Sequence, residues 1–398
     1  MKETPVFSLD IAAVQAALRR DGLAGWLIYD FRGLNAVARE LFNLADYHIT
    51  RRWFYFIPQA GEPVLLGHAI EKMNLPPLPG RMMLYAGLQQ MRQRLDELLP
   101  RPGKIAMEYS PGNDVPTASY LDAGMFELLR SLNVEIVTSA NLIQEFTARW
   151  SAEQLRSHVA AAHVVDAAQR AAFKMIEAAL QAGRPLNEYE VQQFILQRFA
   201  QENCFTDSPP IVAVNGNASN PHYAPTATQH SPIRKGDVIL IDLWARKKTP
   251  RAVFADITWV GFAGREVPPA VQKVFDIVRQ ARDLGVDFLR QNWQAGKPVK
   301  GYQIDEVVRR FITQAGYGEY FVHRTGHSLG TEVHASGVNI DSFETRDSRD
   351  IIPGLAFSIE PGIYLPEFGV RLEINVYAGE NGPEIYTEPQ HELVRLQV

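Results

Sequence analysis

The sequence predicts a two-domain protein of mixed α/β (α+β) class, and three observations lead there. A chain of 398 residues exceeds what one hydrophobic core ordinarily organises. As far as residue 145, short helical and strand-like signals alternate, whereas from Ser151 a long run of helix formers opens a segment of different texture. Apolar strand-like runs then recur between further helices. The boundary is placed between residues 148 and 149, giving domains 1–148 and 149–398.

In the first domain Ser8 is positioned to cap an amphipathic helix through Arg20, with Gly22 as its stop. GWLIYD (Gly25 to Asp30) reads as a buried strand. WFYFIP (Trp53 to Pro58) and PVLLG (Pro63 to Gly67) flank a turn at Gln59, Ala60 and Gly61, the pattern of a hairpin. A helix from Leu88 to Leu99 and a strand at Val134 to Val137 follow.

The second domain opens at Ser151, where a Ser-x-x-Gln capping box starts a helix that Gly183 ends. Asn187 and Glu190 repeat the capping signature for a second helix. Further helices are expected at Pro268 to Gln294 and Tyr302 to Ala315. The strand candidates are IVAVN (Ile211 to Asn215), VILIDLW (Val238 to Trp244), VFADITWV (Val253 to Val260), LAFSIE (Leu355 to Glu360) and VRLEINVY (Val370 to Tyr377). No short-period repeat or low-complexity tract interrupts them.

Composition narrows the function classes. With 46% hydrophobic residues, 21% charged residues and a formal charge of -5, the chain reads as soluble and globular, with no electrostatic attraction for nucleic acid or anionic lipid. Cys204, the single cysteine, can form no internal disulfide and no thiolate zinc cluster. The opening MKETPVFSLD lacks the apolar core of a secretory signal, and no stretch reaches membrane-spanning length. The expectation is a cytoplasmic protein with no membrane partner.

Four carboxylates break this bland picture. Asp242 interrupts VILI-D-LW and Asp256 sits inside VFADITWV on the face of Phe254 and Thr258, while Glu360 and Glu373 lie in or at the end of apolar runs. An ionised oxygen in such surroundings is expensive unless a cation meets it. Singly, each could end a strand, cap a turn or pair with an arginine, and Arg371 shares a strand face with Glu373. Together with His327 they form a set suited to a pair of hard divalent ions, which can generate a hydroxide nucleophile and polarise a carbonyl.

The histidines point the same way. HRTGHSLGTEVH carries His323, His327 and His334, and NGNASNPHYAP carries His222. Imidazoles can ligate a metal, move a proton or donate to an oxyanion, the tasks of amide hydrolysis. A lone loop histidine is more often a simple hydrogen-bonding residue, so it is the order Asp, Asp, His, Glu, Glu that carries weight.

The segments DLWA at Asp242, ADIT at Asp256, HRTGHSLGTEVH, SIEPGIY at Glu360 and GVRLE at Glu373 resemble the successive metal-binding motifs of the pita-bread metallopeptidases. That family includes methionine aminopeptidases, Xaa-Pro aminopeptidases and Xaa-Pro dipeptidases (prolidases). The N-terminal domain resembles the creatinase/prolidase N-terminal domain, which favours the proline-specific branch. The resemblance implies a pita-bread fold for residues 149–398 and a centre of two divalent metal ions, manganese, cobalt or zinc. Asp242, Asp256, His327, Glu360 and Glu373 would be its ligands, Asp256 and Glu373 bridging. Glu360 would take the proton of a hydroxide between the ions. His334 would steady the tetrahedral intermediate or supply a proton to the leaving nitrogen. His222 and His323 would line the substrate pocket, with His222 also counted among the catalytic groups, and Arg371 would orient Glu373 or hold the substrate's carboxylate. An Xaa-Pro bond has no N–H to grip, so its recognition rests on the shape of the pyrrolidine ring. A homodimer is also implied.

The chain departs from the family pattern at three places. Asp242 and Asp256 stand 14 positions apart, lengthened by RKKTPRA; Val253 replaces a tyrosine, with Thr258-Trp259-Val260 where Thr-Arg-Thr is usual; and Ile374 follows Glu373 in place of an aspartate. A creatinase-like amidinohydrolase is disfavoured because those relatives lack the metal ligands. An Xaa-Pro dipeptidase is the preferred reading, with an Xaa-Pro aminopeptidase acting on longer peptides and a non-catalytic binding protein on the same scaffold as alternatives.

Overall fold

A computed structural model describes residues 9–44 and 46–398. The chain divides into two compact units, Met1–Thr147 and Ala148–Val398. In the first, α1 (Ile11–Arg20) is capped by Asp10, whose carboxylate accepts from the backbone of Ala12 and Ala13. The Ser8 cap read from the sequence lies outside the described residues. There follow β1 (Gly25–Asp30), α2 (Ala36–Leu41), β2 (Trp53–Pro58), β3 (Val64–His68), β4 (Arg81–Tyr85), α3 (Leu88–Leu98), β5 (Lys104–Met107), α4 (Ala123–Ser131), β6 (Glu135–Thr138) and α5 (Ala140–Thr147).

These strands form one sheet in the order β4-β3-β2-β1-β5-β6, antiparallel at the β1–β2 and β2–β3 pairs and parallel elsewhere. Strand β1 is buried along its whole length, and its residues Trp26 to Ile28 are apolar because both faces of the sheet are covered there. Trp26 and Ile28 join Val14 and Leu18 of α1 and Val37 of α2 on one side. Leu27 and Tyr29 join Leu95 of α3 and Leu129 of α4 on the other. Asp30, Glu71 and Glu108 are the carboxylates buried in this unit among the described residues, and Glu108, just beyond β5, is the most deeply buried. Trp26 Nε1 (2.8 Å) and Ser139 Oγ (3.2 Å) donate to its Oε1, and Asn35 Nδ2 (3.0 Å) donates to its Oε2.

The second unit begins with α6 (Ala152–Gln181) and α7 (Glu188–Gln201), and at both helices each reciprocal bond of the capping box forms, Ser151 with Gln154 and Asn187 with Glu190. Then come β7 (Cys204–Phe205), β8 (Ile211–Val214), β9 (Val238–Lys247), β10 (Ala255–Phe262), α8 (Pro269–Gln294), α9 (Gly301–Gln314), β11 (Ala356–Ile359), β12 (Gly362–Tyr364), β13 (Gly369–Arg371), β14 (Ile374–Gly379), β15 (Gly382–Ile385) and β16 (Val394–Arg395). Strand β9 pairs with β7, β8 and β10, and β16 adds to β10.

Side-chain alternation along β9 serves two cores. Ile239, Ile241 and Leu243 pack with α6 and α7. Val238 and Leu240 pack with the residues of α8 and α9. Asp242 belongs by period to this second face.

Two expected strands are broken. VRLEINVY divides into β13 and β14, and LAFSIE ends at Ile359, because the backbone at each break bonds elsewhere: Glu360 N donates to Thr325 O (2.7 Å) and Glu373 N to Thr258 O (3.2 Å). Strand β10 starts at Ala255, two residues later than expected. Val253 N is taken by Ser157 Oγ, Phe254 N by Gly330 O, and Phe254 O by His158 Nδ1. Among the described residues no helix is long and apolar enough to cross a membrane.

Candidate metal centre

Two hairpins supply the carboxylates. In the β9–β10 ladder Asp242 lies opposite Thr258 and Trp244 opposite Asp256. Opposed residues, and residues two apart on one strand, project to the same side, so all four share one face. In the other hairpin β11 pairs with β14 and β12 with β13. The ladder skips from Ile359↔Ile374 to Gly362↔Arg371, which sets Glu360-Pro361 across from Leu372-Glu373 and brings both glutamates into one gap.

Asn375 ties the hairpins together. Asp256 N donates to Asn375 Oδ1 (2.8 Å), and Asn375 Nδ2 donates to Asp256 O (2.7 Å). The side-chain amide thereby pairs with the backbone of Asp256 as a neighbouring strand would.

His327 arrives on the segment before β11. A side chain at Gly326 would place its Cβ 1.9 Å from Ser358 O, so only glycine allows this approach. His327 N donates to Ser358 Oγ (2.9 Å), and Ser358 N to His327 O (2.8 Å). His327 Nδ1 faces the carbonyl of Ser328 at 3.3 Å; a carbonyl only accepts, so Nδ1 carries the proton and Nε2 presents a lone pair. That lone pair meets Glu360 Oε1 at 3.4 Å, Asp256 Oδ2 at 3.6 Å and Glu373 Oε1 at 4.0 Å. Acceptors thus face acceptors. Asp256 Oδ1 and Glu373 Oε1 are buried without any hydrogen-bond partner, and Asp256, His327 and Glu373 each offer a ligand atom within 4.8 Å of the others.

Charge repulsion here is severe. Burial, then the charges of Asp242 and Glu360, push Asp256 well above the ordinary carboxyl range. Burial, then Asp256 and Glu360, do the same to Glu373. Burial pushes Glu360 up to about 7 against the opposing pull of Arg371. His327 is driven well below its usual value by burial and then by His334. Without a cation the acids would need protons and the imidazole none. A divalent ion reverses the first demand and suits the second.

Asp242 is handled differently from the other ligand candidates. Arg371 Nη2 donates to its Oδ2 at 2.6 Å and Thr258 Oγ1 lies 3.0 Å from its Oδ1. The Thr258 hydroxyl is also 2.9 Å from Glu373 Oε2, and its single proton can serve only one of the two acids at a time. Arg371 therefore reaches Asp242 and not Glu373. Its remaining nitrogens bond Thr258 Oγ1 (3.2 Å) and Tyr364 Oη (3.0 Å), so the buried guanidinium is engaged within the protein.

The remaining histidines occupy distinct positions. His323 Nδ1 donates to the carbonyl of Arg324 (2.6 Å), which leaves Nε2 to accept from Tyr364 Oη (2.6 Å). Burial, then Arg371, lower its pKa to about 3, so the ring is neutral with both nitrogens in use. His334 meets His327 edge to face with ring centroids 4.3 Å apart and keeps an exposed side. His222 is exposed, its backbone N–H bonded to Asn220 Oδ1. Sequence reasoning gave no role to Thr258, Ser358, Tyr364 or Asn375. Thr258 was the most accessible of these, being two positions from Asp256 on the same face.

The structure brings Asp256, His327 and Glu373 together with Glu360 beside His327, while Asp242 stands at the edge on Arg371 and Thr258; carboxylates, one imidazole with its lone pair directed inward, and buried oxygens lacking any other partner suit a hard divalent ion. Comparison with known proteins agrees. Residues 157–380 match metallopeptidase family M24. An uncharacterised peptidase of Bacillus subtilis, YqhT, is 29% identical over 265 residues, 66% of this chain and 69% of that protein. An Xaa-Pro dipeptidase of Lactobacillus delbrueckii subsp. lactis is 32% identical over 53% of this chain, which spans about half (51%) of that relative's length. The crystal structure of dipeptidase PepE from Mycobacterium ulcerans superposes with a TM-score of 0.67 at 24% identity, covering 98% of this chain and 97% of the other. That likeness shows a shared fold, an N-terminal α/β domain followed by a pita-bread domain.

Proposed function

The chain belongs to metallopeptidase family M24, and from this premise we propose that it hydrolyses the Xaa-Pro imide bond, dipeptides being its preferred substrates. Two divalent ions, manganese, cobalt or zinc, would be held by Asp242, Asp256, His327, Glu360 and Glu373. The observation that carries the reading is the pair of buried, unpartnered oxygens, Asp256 Oδ1 and Glu373 Oε1, on acids that face the lone pair of His327. The choice of bond is supported by the 32% identity to the Lactobacillus Xaa-Pro dipeptidase.

When bound, the ions supply Lewis acidity and a water acidified enough to react near neutral pH. The protein's own groups supply the rest. Glu360, at 15% side-chain exposure the most open of the acids around His327, is placed to take a proton from the attacking water and return it to the leaving nitrogen. His334, beside His327 with one side free, donates toward the developing oxyanion. His323 serves as a fixed neutral wall, because Tyr364, itself bonded by Arg371, occupies its Nε2 and the Arg324 carbonyl occupies its Nδ1.

The test is metal removal with a chelator, reconstitution with manganese, cobalt or zinc, and product analysis on Ala-Pro and Ala-Pro-Ala. Release of proline from Ala-Pro by the reconstituted protein is expected, with two ions bound per chain. Turnover of Ala-Pro-Ala alone would move the assignment to an aminopeptidase, and no metal uptake with no turnover would overturn it.

A further inference from the structure

We infer that Asp207 and Trp244 form the subsite that receives the protonated α-amino group of the peptide substrate; this rests on the peptidase reading above. Strand β7 runs antiparallel to β9 with Cys204 opposite Lys247 and Phe205 opposite Arg246. The same direction carries Asp207 level with Trp244, whose indole Nε1 donates to Asp207 Oδ1 at 2.8 Å. Trp244 is in turn the cross-strand partner of Asp256. Opposed side chains stand about 5 Å apart at Cβ, so the ring lies beside the metal-centre face.

Charge makes this arrangement unusual. Asp207 is exposed and, among the described residues, no lysine, arginine or histidine pairs with it. The Trp244 indole nevertheless holds its carboxylate beside the face that carries Asp256. A further acid at the edge of a carboxylate cluster raises repulsion unless a cation comes to it. The ions proposed for the centre belong to the buried oxygens beneath, which leaves a cation arriving from solvent.

A peptide brings one. Its α-amino group has a pKa of about 7.7–8.0 and its nitrogen lies about 2.5 Å from the carbonyl carbon of the first residue. A carbonyl placed over Asp256 therefore has its ammonium within reach of the adjoining positions on the β9–β10 face. Those positions have opposite polarity. Asp242 carries the Arg371 guanidinium at 2.6 Å, which repels an ammonium. Trp244 carries Asp207, which attracts one, and the indole ring adds a cation–π contact. The face orients a peptide by its N-terminal charge.

The experiment compares Ala-Pro with propionyl-proline, which has the same shape without the amino group, on metal-loaded wild type, Asp207→Asn and Trp244→Phe. Wild type is expected to favour Ala-Pro by tenfold or more in kcat/KM, about the preference a charge-assisted hydrogen bond gives. Asp207→Asn should raise KM for Ala-Pro by a similar factor with a smaller change in kcat, and bring the two substrates close together. It should also flatten the fall of kcat/KM as the substrate amine deprotonates. Trp244→Phe, which keeps a ring but releases Asp207, should shift the same quantities less. Equal losses on both substrates, or no loss on either, overturn the inference. Should wild type cleave neither compound, calorimetric binding of the same two ligands decides: a preference for Ala-Pro that Asp207→Asn removes sustains the subsite while the hydrolytic reading fails, and no preference ends both.

Discussion

Each domain buries glutamate, and the company each keeps separates scaffold from site. Glu108 in the N-terminal domain receives Trp26, Ser139 and Asn35, so both oxygens are occupied by neutral donors. Glu373 in the C-terminal domain receives at most a shared proton from Thr258 on one oxygen, and its other oxygen is buried with nothing to accept. Burial alone is common to both. A saturated acid is a structural joint, whereas an acid left short of donors beside other acids and an imidazole lone pair is completed by something the chain does not supply.

The comparison breaks most readily by neutralising each class in turn. Glu373→Gln and Asp256→Asn are expected to lose metal and to lower kcat/KM on Ala-Pro by about a thousandfold or more, the several kcal/mol that Lewis-acid catalysis supplies. Glu108→Gln should keep both metal and turnover. In chelator the loss disappears for stability, because the metal-free acid must take up a proton that glutamine does not need, so metal-free Glu373→Gln melts no lower than metal-free wild type. Elemental analysis, steady-state kinetics and thermal melts check all three. A Glu373→Gln protein that retained its ions and its rate would erase the distinction.

How much of this was legible in the sequence follows from which signals are local. The long helices announced themselves through capping boxes at Ser151 and Asn187. Asp242 and Asp256 stood out because a carboxylate inside an apolar strand is anomalous without any partner being known. The short strands β4 and β5 gave too little pattern: β4 begins with exposed Arg81 and Met82, and β5 has four residues. The breaks at Glu360-Pro361 and Leu372-Glu373 could not be read, since they arise from bonds to Thr325 and Thr258 far along the chain. For the same reason the Arg371–Asp242 contact was hidden: adjacency on a strand suggested Glu373, but the interruption after Arg371 turns the guanidinium elsewhere.

A second test uses pH to sharpen the contrast. Burial raises Glu108 to about 7 from an ordinary 4.5, so the folded state binds its proton more tightly than the unfolded chain does. The associated stability is full below about 4.5 and is lost as pH rises through about 7, a change of roughly 3 kcal/mol. Glu360, Asp256 and Glu373 are raised as well in the absence of metal and impose the same sign. Metal binding requires their deprotonated forms, so their share of the slope reverses once ions are present. Urea unfolding between pH 4.5 and 7.5 should therefore show stability falling steeply with pH in chelator. With manganese the fall should shrink, and Glu108→Gln should remove the share of Glu108 from what remains, to which Asp166, raised to about 6 by burial, adds and the buried His158 and His323, lowered to about 4 and about 3, are opposed in sign. A slope indifferent to metal would place the excess protons outside the centre.

The smallest expected effect concerns Asn375, which belongs to both classes of residue. Both ends of its amide are bonded, as both oxygens of Glu108 are, yet the partner is the backbone of Asp256, and Asn375 itself stands two positions along the chain from Glu373. In Asn375→Ala the N–H and C=O of Asp256 lose those bonds while every proposed ligand side chain remains. The register between the hairpins then rests on the backbone bond from Glu373 N to Thr258 O and on the side-chain bonds that Thr258 and Arg371 make across the gap. Supporting residues of this kind typically change metal affinity by about 10- to 100-fold. Titration of the metal-free variant with manganese should show weakened uptake of that order, with kcat at saturating metal closer to wild type than the kcat/KM of Glu373→Gln. If affinity held while the melting temperature fell, Asn375 would stand with Glu108 as a joint of the fold. If affinity fell at an unchanged melting temperature, the line between scaffold and site would run through this one side chain.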